Sequence, residues 1–308
     1  INLTNYKKTP IHKVFDEVRT QARKRGYRVT GSEIVGLLPK KALLDSGIYY
    51  LNKQKKSIGI PELDILNIAV KSLGLTDISE FNVKDKVIEY SVKEDDNNLS
   101  DYTINDFSNE LSRNTYAPGG GSVSALLGLL GSSLSCMVSN LTYDNKKFKE
   151  FQSIHYKSSE KLQKYSNELL YLINEDTIAY NNIISARRLP KKTKSQTLLR
   201  NKEINKSIIY AIEVPLKVLE TCLKVHEVTY KVLKHANLNC ISDIGVANQS
   251  LYSASNGASY NILINLVDLN PNLEKKYKEK IDYYMKQINS FYLKINMVLN
   301  KELKIDLW

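Results

Sequence analysis

The chain has 308 residues, of which 42% are hydrophobic and 25% are charged, and its formal net charge is +11. This composition excludes disordered and fibrous proteins and allows one large globular domain or two ordinary ones. Positive charge predominates at both ends of the sequence, with an acidic stretch between them. A basic surface favours anionic partners, whether nucleic acid, a membrane or a polyanionic small molecule.

Secretion and membrane insertion are not predicted. The chain opens with the polar residues INLTNYKKTP, which do not form a signal peptide, and it lacks an initiating methionine, as expected for a piece of a longer protein. The most apolar run, residues 123–138, is short for a membrane span and holds four serines, so we expect a buried helix. Three cysteines without paired spacing predict reduced core thiols in a cytoplasmic protein.

Residues 1–91 are predicted to form an α+β unit. Thr9-Pro10 is typical of a helix start, apolar residues follow at helical spacing, and Gly26 ends the helix. Strands are predicted at 28–36 and 87–92, where β-branched residues are concentrated, and a further strand is expected at the very start of the chain. Helices are predicted at 40–51 and 61–73.

Residues 92–102 are predicted to be a linker, because they are polar, acidic and without apolar periodicity. Residues 103–308 change to a helical pattern throughout, which predicts an all-α bundle. Pro215 should kink one of its helices unless a neighbouring group replaces the lost hydrogen bond. The predicted helices span 103–113, 122–141, 147–187, 196–236, 242–267 and 271–301.

A glycine-rich turn precedes the second helix of the bundle. Gly119, Gly120 and Gly121 allow close backbone approach, and Ser122 is placed to cap the helix, whose free N–H groups can bind an anion. The Gly-Lys-Ser/Thr ending of a P-loop is absent. A stripe of small residues follows (Ala125, Gly128, Ser132 and Ser135), which lets another helix approach closely, either within the chain or across a dimer.

Asp176 lies on the apolar face of a predicted helix. A carboxylate in such a place is costly unless it is paired, which leaves two hypotheses. It forms a structural salt bridge or hydrogen bond to a helix terminus, or it is a partly desolvated catalytic carboxylate.

Other polar groups give weaker signals. Residues 187–194 carry five positive charges in eight positions, which is typical of a solvated helix end. Asp243 is expected in the first turn of a helix, where negative charge is favourable. The four histidines lack metal-ligand spacing, so we expect ordinary surface or boundary residues, no metal site and no nucleophilic triad.

Several of these segments together resemble a known family, the bifunctional glutamate formimidoyltransferase and formimidoyltetrahydrofolate cyclodeaminase. Residues 2–4, 31–39 and 88–90 are similar to the second subdomain of the transferase. Residues 117–123, Asp176, residues 188–191, Ser242-Asp243 and residues 261–266 resemble the cyclodeaminase. The two parts occur in this order in the family, and the resemblance covers nearly the whole chain.

The resemblance implies a pair of reactions in histidine breakdown. The transferase moves a formimino group from formiminoglutamate to tetrahydrofolate, and the cyclodeaminase closes the ring, releases ammonia and leaves 5,10-methenyltetrahydrofolate. The family's transferase histidine belongs to an upstream subdomain and matches none of the four histidines here. We therefore expect cyclodeaminase activity and no transferase activity from this chain alone.

The resemblance also assigns roles. Asp176 matches the catalytic aspartate, and the expected substrate-binding residues are Gly119, Gly120, Gly121, Ser122, Arg188, Lys191, Asp243, Asn261 and Asn265. No metal or cofactor beyond the folate substrate is expected. The expected partners are folate, with or without a polyglutamate tail, and a second copy of the chain, with no nucleic acid and no membrane. The alternative is a non-catalytic helical scaffold or an RNA-binding protein.

Overall fold

The computed structural model describes residues 1–92 and 98–305, and the chain divides into two compact units, residues 1–96 and 97–308. Residues 93–97 of the predicted linker lie outside the described part. The end of the predicted linker is described. Leu99–Asp101 form a 3₁₀ helix in the second unit, where Leu99 is buried and the Ser100 N–H donates to the side chain of Asn174.

The first unit is a small cluster of helices. Its core is formed by leucines and valines of two helices, at residues 40–53 and 62–73, and by Val87, which is fully buried. The buried Gly47 lets these two helices touch, because a Cβ there would lie 2.1 Å from the Ile65 carbonyl oxygen. The helices are α1 (Ile11–Lys24), α2 (Lys40–Lys53), α3 (Glu62–Leu73), α4 (Val83–Lys86) and α5 (Ile88–Ser91).

The predicted α+β class of this unit is wrong, because its described residues contain no strand. Residues 28–36 have no helical or sheet assignment, and residues 88–91, predicted as strand, form α5. A single parallel bridge pairs Leu38 with Val87, through Leu38 N–H to Lys86 O and Ile88 N–H to Leu38 O, both at 3.0 Å. Strand propensity becomes a sheet only where a neighbouring strand accepts the backbone hydrogen bonds, and the described residues supply none beyond this bridge.

The second unit is a bundle of long helices, as the periodicity predicts. The helices are α6 (Ile104–Leu111), α7 (Gly120–Asp144), α8 (Gln152–Arg188), α9 (Lys194–Leu233), α10 (Ile241–Leu266) and α11 (Pro271–Leu303). Four of them, α7 to α10, pack around one core, in which Leu162, Leu219, Ile244 and Ile262 are fully buried.

Helix α7 is the apolar centre of this bundle. Within the described residues it is the one helix long and apolar enough to cross a membrane, and 56% of its most apolar stretch is buried in the protein. The small residues predicted to allow close approach do so within the chain. Gly128, for example, lies against Cys222 of α9 and Leu169 of α8, where an added Cβ would be 3.1 Å from each.

Candidate active site

The glycine turn brings the start of α7 against the middle of α8, where Asp176 lies. The Ser122 N–H, in the first turn of α7, donates to Asp176 Oδ2 at 2.9 Å. The Ser122 hydroxyl lies 3.1 Å from the same oxygen and 3.0 Å from the carbonyl oxygen of Ile173. One carboxylate oxygen is therefore fixed at a helix N-terminus, where backbone N–H groups favour negative charge.

Gly121 is required for this contact. A Cβ built on Gly121 would lie 1.9 Å from Asp176 Oδ1 and 2.4 Å from its Cγ, which no side chain can tolerate. The conformational freedom of glycine is not the reason for its presence, since Gly121 is helical. The carboxylate occupies the space that any other residue at position 121 would fill.

The environment of Asp176 favours the protonated form more than water does. Burial raises the pKa of this carboxyl above its ordinary value, although the two hydrogen bonds from Ser122 lower it in part. No lysine or arginine forms an ion pair with Asp176 among the described residues. A half-buried carboxylate with a raised pKa and no paired cation can exchange a proton with a ligand more readily than a salt-bridged one.

Helix α10 contributes an amide beside the same turn. The Asn261 Nδ2 atom lies 3.4 Å from the position of a Cβ on Gly120, and it also donates to the carbonyl oxygen of Gly257 at 2.8 Å. Gly257 in turn leaves room for Ser124, whose hydroxyl donates to the carbonyl oxygen of Gly120 at 2.7 Å. Asn261, Gly120 and Asp176 therefore border one region of the surface.

Asn265, one turn further along α10, also has a structural role. Its Nδ2 donates to the carbonyl oxygen of Ala211 at 3.4 Å and to that of Asn261 at 2.9 Å. The Ala211 carbonyl is the group that Pro215 cannot bond, because proline has no N–H. Asn265 thus replaces a lost helical hydrogen bond, and α9 continues through Pro215 without a break.

The other predicted binding residues lie at different distances from Asp176. Gly119 is the N-cap residue of α7 and belongs to the site. Arg188 ends α8, about 18 Å along the helix from Asp176. Lys191 follows in the loop, and both cations are exposed. Asp243 lies in the first turn of α10, about 27 Å from Asn261 along the same helix, so a single chain does not bring these two together.

Two further residues beside this site, Tyr116 and Tyr180, have no role assigned from the sequence. Tyr180 lies one helical turn after Asp176 on α8, and its ring centroid is 6.1 Å from that of Tyr116, which precedes the glycine turn. Tyr116 is 89% exposed. The position of Tyr180, four residues after Asp176 on a predicted helix, could have indicated that the two side chains are neighbours. No sequence pattern indicates Tyr116.

A concavity lies on another side of α8. It has a volume of about 930 Å³ between α8 and α9, and its walls include Asn182, Lys206 and Tyr210. Asp176 is not among its lining residues. The described residues contain no group of three or more side chains arranged to hold a metal ion.

Each unit of the chain matches a known family model. Residues 103–287 match the family model described as formiminotransferase-cyclodeaminase, and residues 1–93 match that of the formiminotransferase domain. The chain belongs to the formiminotransferase-cyclodeaminase family. Asp176 and the glycine turn lie within the first of these matches.

Individual relatives agree with this family. The chain is 33% identical to formimidoyltransferase-cyclodeaminase of Rattus norvegicus over 281 residues, which are 91% of this chain and 51% of that protein. It is 32% identical to methenyltetrahydrofolate cyclohydrolase of Methylorubrum extorquens over 179 residues, 58% of this chain and 86% of that protein. The chain thus spans about half the length of its bifunctional relatives.

A solved structure supports the fold. The crystal structure of formiminotetrahydrofolate cyclodeaminase from Thermotoga maritima matches 67% of this chain and 99% of its own, with a TM-score of 0.60 and 20% sequence identity. The extent of the match corresponds to one unit of this chain, and the similarity is evidence for a shared fold.

Proposed function

We propose that the helical unit is a formimidoyltetrahydrofolate cyclodeaminase, which converts 5-formimidoyltetrahydrofolate to 5,10-methenyltetrahydrofolate and ammonia. The single observation that carries the proposal is Asp176, a half-buried carboxylate fixed on one oxygen by Ser122 and approached by Gly121 without a side chain between them. The proposed substrate class, a formimino derivative of tetrahydrofolate, is inferred from membership of the family.

The proposed chemistry needs one group that both accepts and returns a proton. The protonated formimino group is an amidinium-like cation, which a carboxylate attracts. N10 of the folate attacks the formimino carbon, a bond forms between them, and the N10 proton passes to Asp176. The same proton then goes to the formimino nitrogen, the carbon–nitrogen bond breaks, and ammonia leaves. Charge and atoms balance, and Asp176 ends as it began.

These proton transfers require no titratable group other than Asp176. The hydrogen bonds from Ser122 hold Oδ2, which leaves Oδ1 for the transferred proton. The raised pKa of Asp176 brings the basicity of the carboxylate closer to that of the groups with which it exchanges protons. Asn261 and the turn glycines are proposed to contact the folate, and no metal or additional cofactor is required.

The basic segment 187–194 is proposed to bind the anionic tail of the folate. Arg188 and Lys191 are exposed, and Arg187 forms a 3.2 Å ion pair with Asp268 that fixes the base of the segment. Glutamate carboxylates are attracted to such cations over a range set by ionic strength. Arg188 is about 18 Å from Asp176 along α8, far enough to meet a tail and too far to touch the reacting atoms.

A homodimer is proposed on a surface of α7 that the bundle leaves uncovered. Leu130, Met137 and Leu141 repeat at helical spacing and are exposed. Within one chain, Asp243 lies far from Asn261 and Asp176. In a symmetric dimer, Asp243 of one copy would be free to approach the Asp176 site of the other copy. Sedimentation of wild type against Leu130→Glu/Met137→Glu tests the surface: a dimer that becomes a monomer supports it, and an unchanged mass contradicts it.

The transferase half of the reaction pair is not proposed for this chain. A cytoplasmic location and a role in histidine breakdown remain predictions from the sequence.

A second candidate is hydrolysis of the methenyl bridge, favoured by the similarity to methenyltetrahydrofolate cyclohydrolase. Water would replace ammonia at the same carbon. Incubating the full chain with 5-formimidoyltetrahydrofolate and, separately, with 5,10-methenyltetrahydrofolate distinguishes the candidates. Ammonia release with accumulation of methenyl product supports the cyclodeaminase, and loss of methenyl absorbance alone supports the cyclohydrolase. If neither substrate reacts and the chain binds RNA with an affinity that falls steeply with salt, the non-catalytic alternative is supported.

A further inference from the structure

Two tyrosine rings next to Asp176 have no part in the proton transfers described above. Tyr180 is one helical turn from Asp176 on the same side of α8. Tyr116 precedes the glycine turn, and its carbonyl oxygen would lie 3.6 Å from a Cβ on Gly119. The two rings are in contact, with centroids 6.1 Å apart and planes inclined by 31°.

The arrangement leaves an aromatic surface open to a ligand. Tyr180 is half-buried, and its ring lies against that of Tyr116, a residue that is 89% exposed. A single exposed aromatic residue is common and needs no explanation. A pair of contacting rings beside a half-buried carboxylate is different, because together they present an aromatic surface next to a polar group.

The substrate class of the proposed function has an aromatic group in the matching place. N10 is bonded directly to the p-aminobenzoyl ring, so this ring must lie within a few ångströms of any group that takes the N10 proton. The Cβ atoms of helical residues four positions apart, such as Asp176 and Tyr180, are about 5–6 Å from each other, so their side chains can contact the same ligand. The reduced pterin is only partly planar, whereas the aminobenzoyl ring is fully aromatic and stacks on tyrosine well.

We propose that Tyr116 and Tyr180 form the binding subsite for the p-aminobenzoyl ring and thereby hold N10 against Asp176. The inference rests on the proposed function and adds to it two residues and the part of the substrate that they bind. Neither residue exchanges a proton with the substrate, so both act in binding and positioning.

Binding of 5-formyltetrahydrofolate, a stable oxygen analogue of the substrate, tests the proposal by calorimetry on the full chain. Tyr116→Ala and Tyr180→Leu should each weaken binding about tenfold, the usual scale for loss of one aromatic contact. Tyr116→Phe and Tyr180→Phe keep the rings and should bind as wild type does. Tyr283→Ala, at an exposed tyrosine of α11, is the control for nonspecific effects. Circular dichroism checks that each variant is folded.

Two fragments locate the ring that the tyrosines contact. p-Aminobenzoylglutamate should lose affinity for Tyr116→Ala, and 6-methyltetrahydropterin should not. Loss for the pterin fragment alone would overturn the assignment of the ring. If wild type binds 5-formyltetrahydrofolate and Tyr116→Ala binds it with the same affinity, the subsite is overturned and the cyclodeaminase proposal still stands. Failure of wild type to bind any of the three probes would overturn both.

Discussion

Asn265 on α10 donates a hydrogen bond to the carbonyl oxygen of Ala211 on α9, the acceptor that Pro215 leaves without a helical partner. The two long helices are therefore joined at the point where a proline would otherwise weaken one of them. Without Asn265, a carbonyl group in the interior of α9 would be left without a donor, which is unfavourable.

Removal of this amide should reduce stability and spare catalysis. Asn265→Ala is expected to lower the free energy of unfolding by about 1 kcal/mol, the usual net value of one hydrogen bond. In a Pro215→Ala background the new N–H can bond Ala211, so the same substitution should cost less. Urea unfolding of the four proteins measures this difference. A fall in kcat/KM with unchanged stability would instead support the substrate-binding role expected from the sequence.

Gly121 and Gly120 provide a matched pair for the carboxylate contact. Gly121→Ala places a methyl group where Asp176 Oδ1 lies, so Asp176 must move, and kcat/KM should fall by about 10² or more. Gly120→Ala meets only the side-chain amide of Asn261, at 3.4 Å, and leaves Asp176 in place, so its effect should be on KM through the folate contact and much smaller than that of Gly121→Ala. Ammonia release measures both. Equal losses for the two variants would show that the turn tolerates no alanine, irrespective of Asp176.

The pKa of Asp176 predicts the pH dependence of stability. Because burial raises this pKa in the folded chain, the carboxyl stabilises the fold while it is protonated, and this contribution is lost as the pH rises through the raised value. Asp176→Asn should therefore raise Tm at pH 7, and the difference from wild type should shrink as the pH falls toward about 4. Calorimetric scans across this range measure the difference. Asp268→Asn, at an exposed ion pair, should give no such rise.

The basic segment gives a prediction about substrate length. Lys191→Glu/Lys192→Glu should raise KM more for a polyglutamylated folate than for the monoglutamate, and the gap should narrow in high salt. Lys275→Glu/Lys276→Glu changes the net charge equally at exposed positions of α11 and serves as the control. If both substrates respond equally to the first variant, or if the control has the same effect, the segment is only a solvated helix end.

Much of the bundle could be predicted from the sequence because a 3.6-residue apolar period depends on the chain itself. The start of α11 at Pro271 and the end of α8 near Arg188 follow that pattern to within a residue or two. The strands of the first unit could not be predicted in the same way. Whether residues 28–36 form a strand depends on a partner strand, which their own sequence does not specify.

The candidate site was predictable only in part, for a similar reason. Asp176 was identifiable because a carboxylate on an apolar helix face is rare. The contact of Gly121 with Asp176 and the bond from Asn265 to Ala211 depend on how helices distant in sequence meet. His12, His155 and His226, expected at the surface or boundary, are buried because neighbouring elements cover them, and His155 Nε2 lies 3.0 Å from the carbonyl oxygen of His235.

The most direct test of the central claim is the turnover number of Asp176→Asn in the full chain, measured as ammonia and methenyltetrahydrofolate formed from 5-formimidoyltetrahydrofolate. Asparagine keeps the size of the side chain and removes its charge and its ability to accept the proton. The account predicts that kcat falls by about 10² or more while the protein remains folded and at least as stable as wild type. Near-normal turnover by a folded Asp176→Asn protein would contradict it.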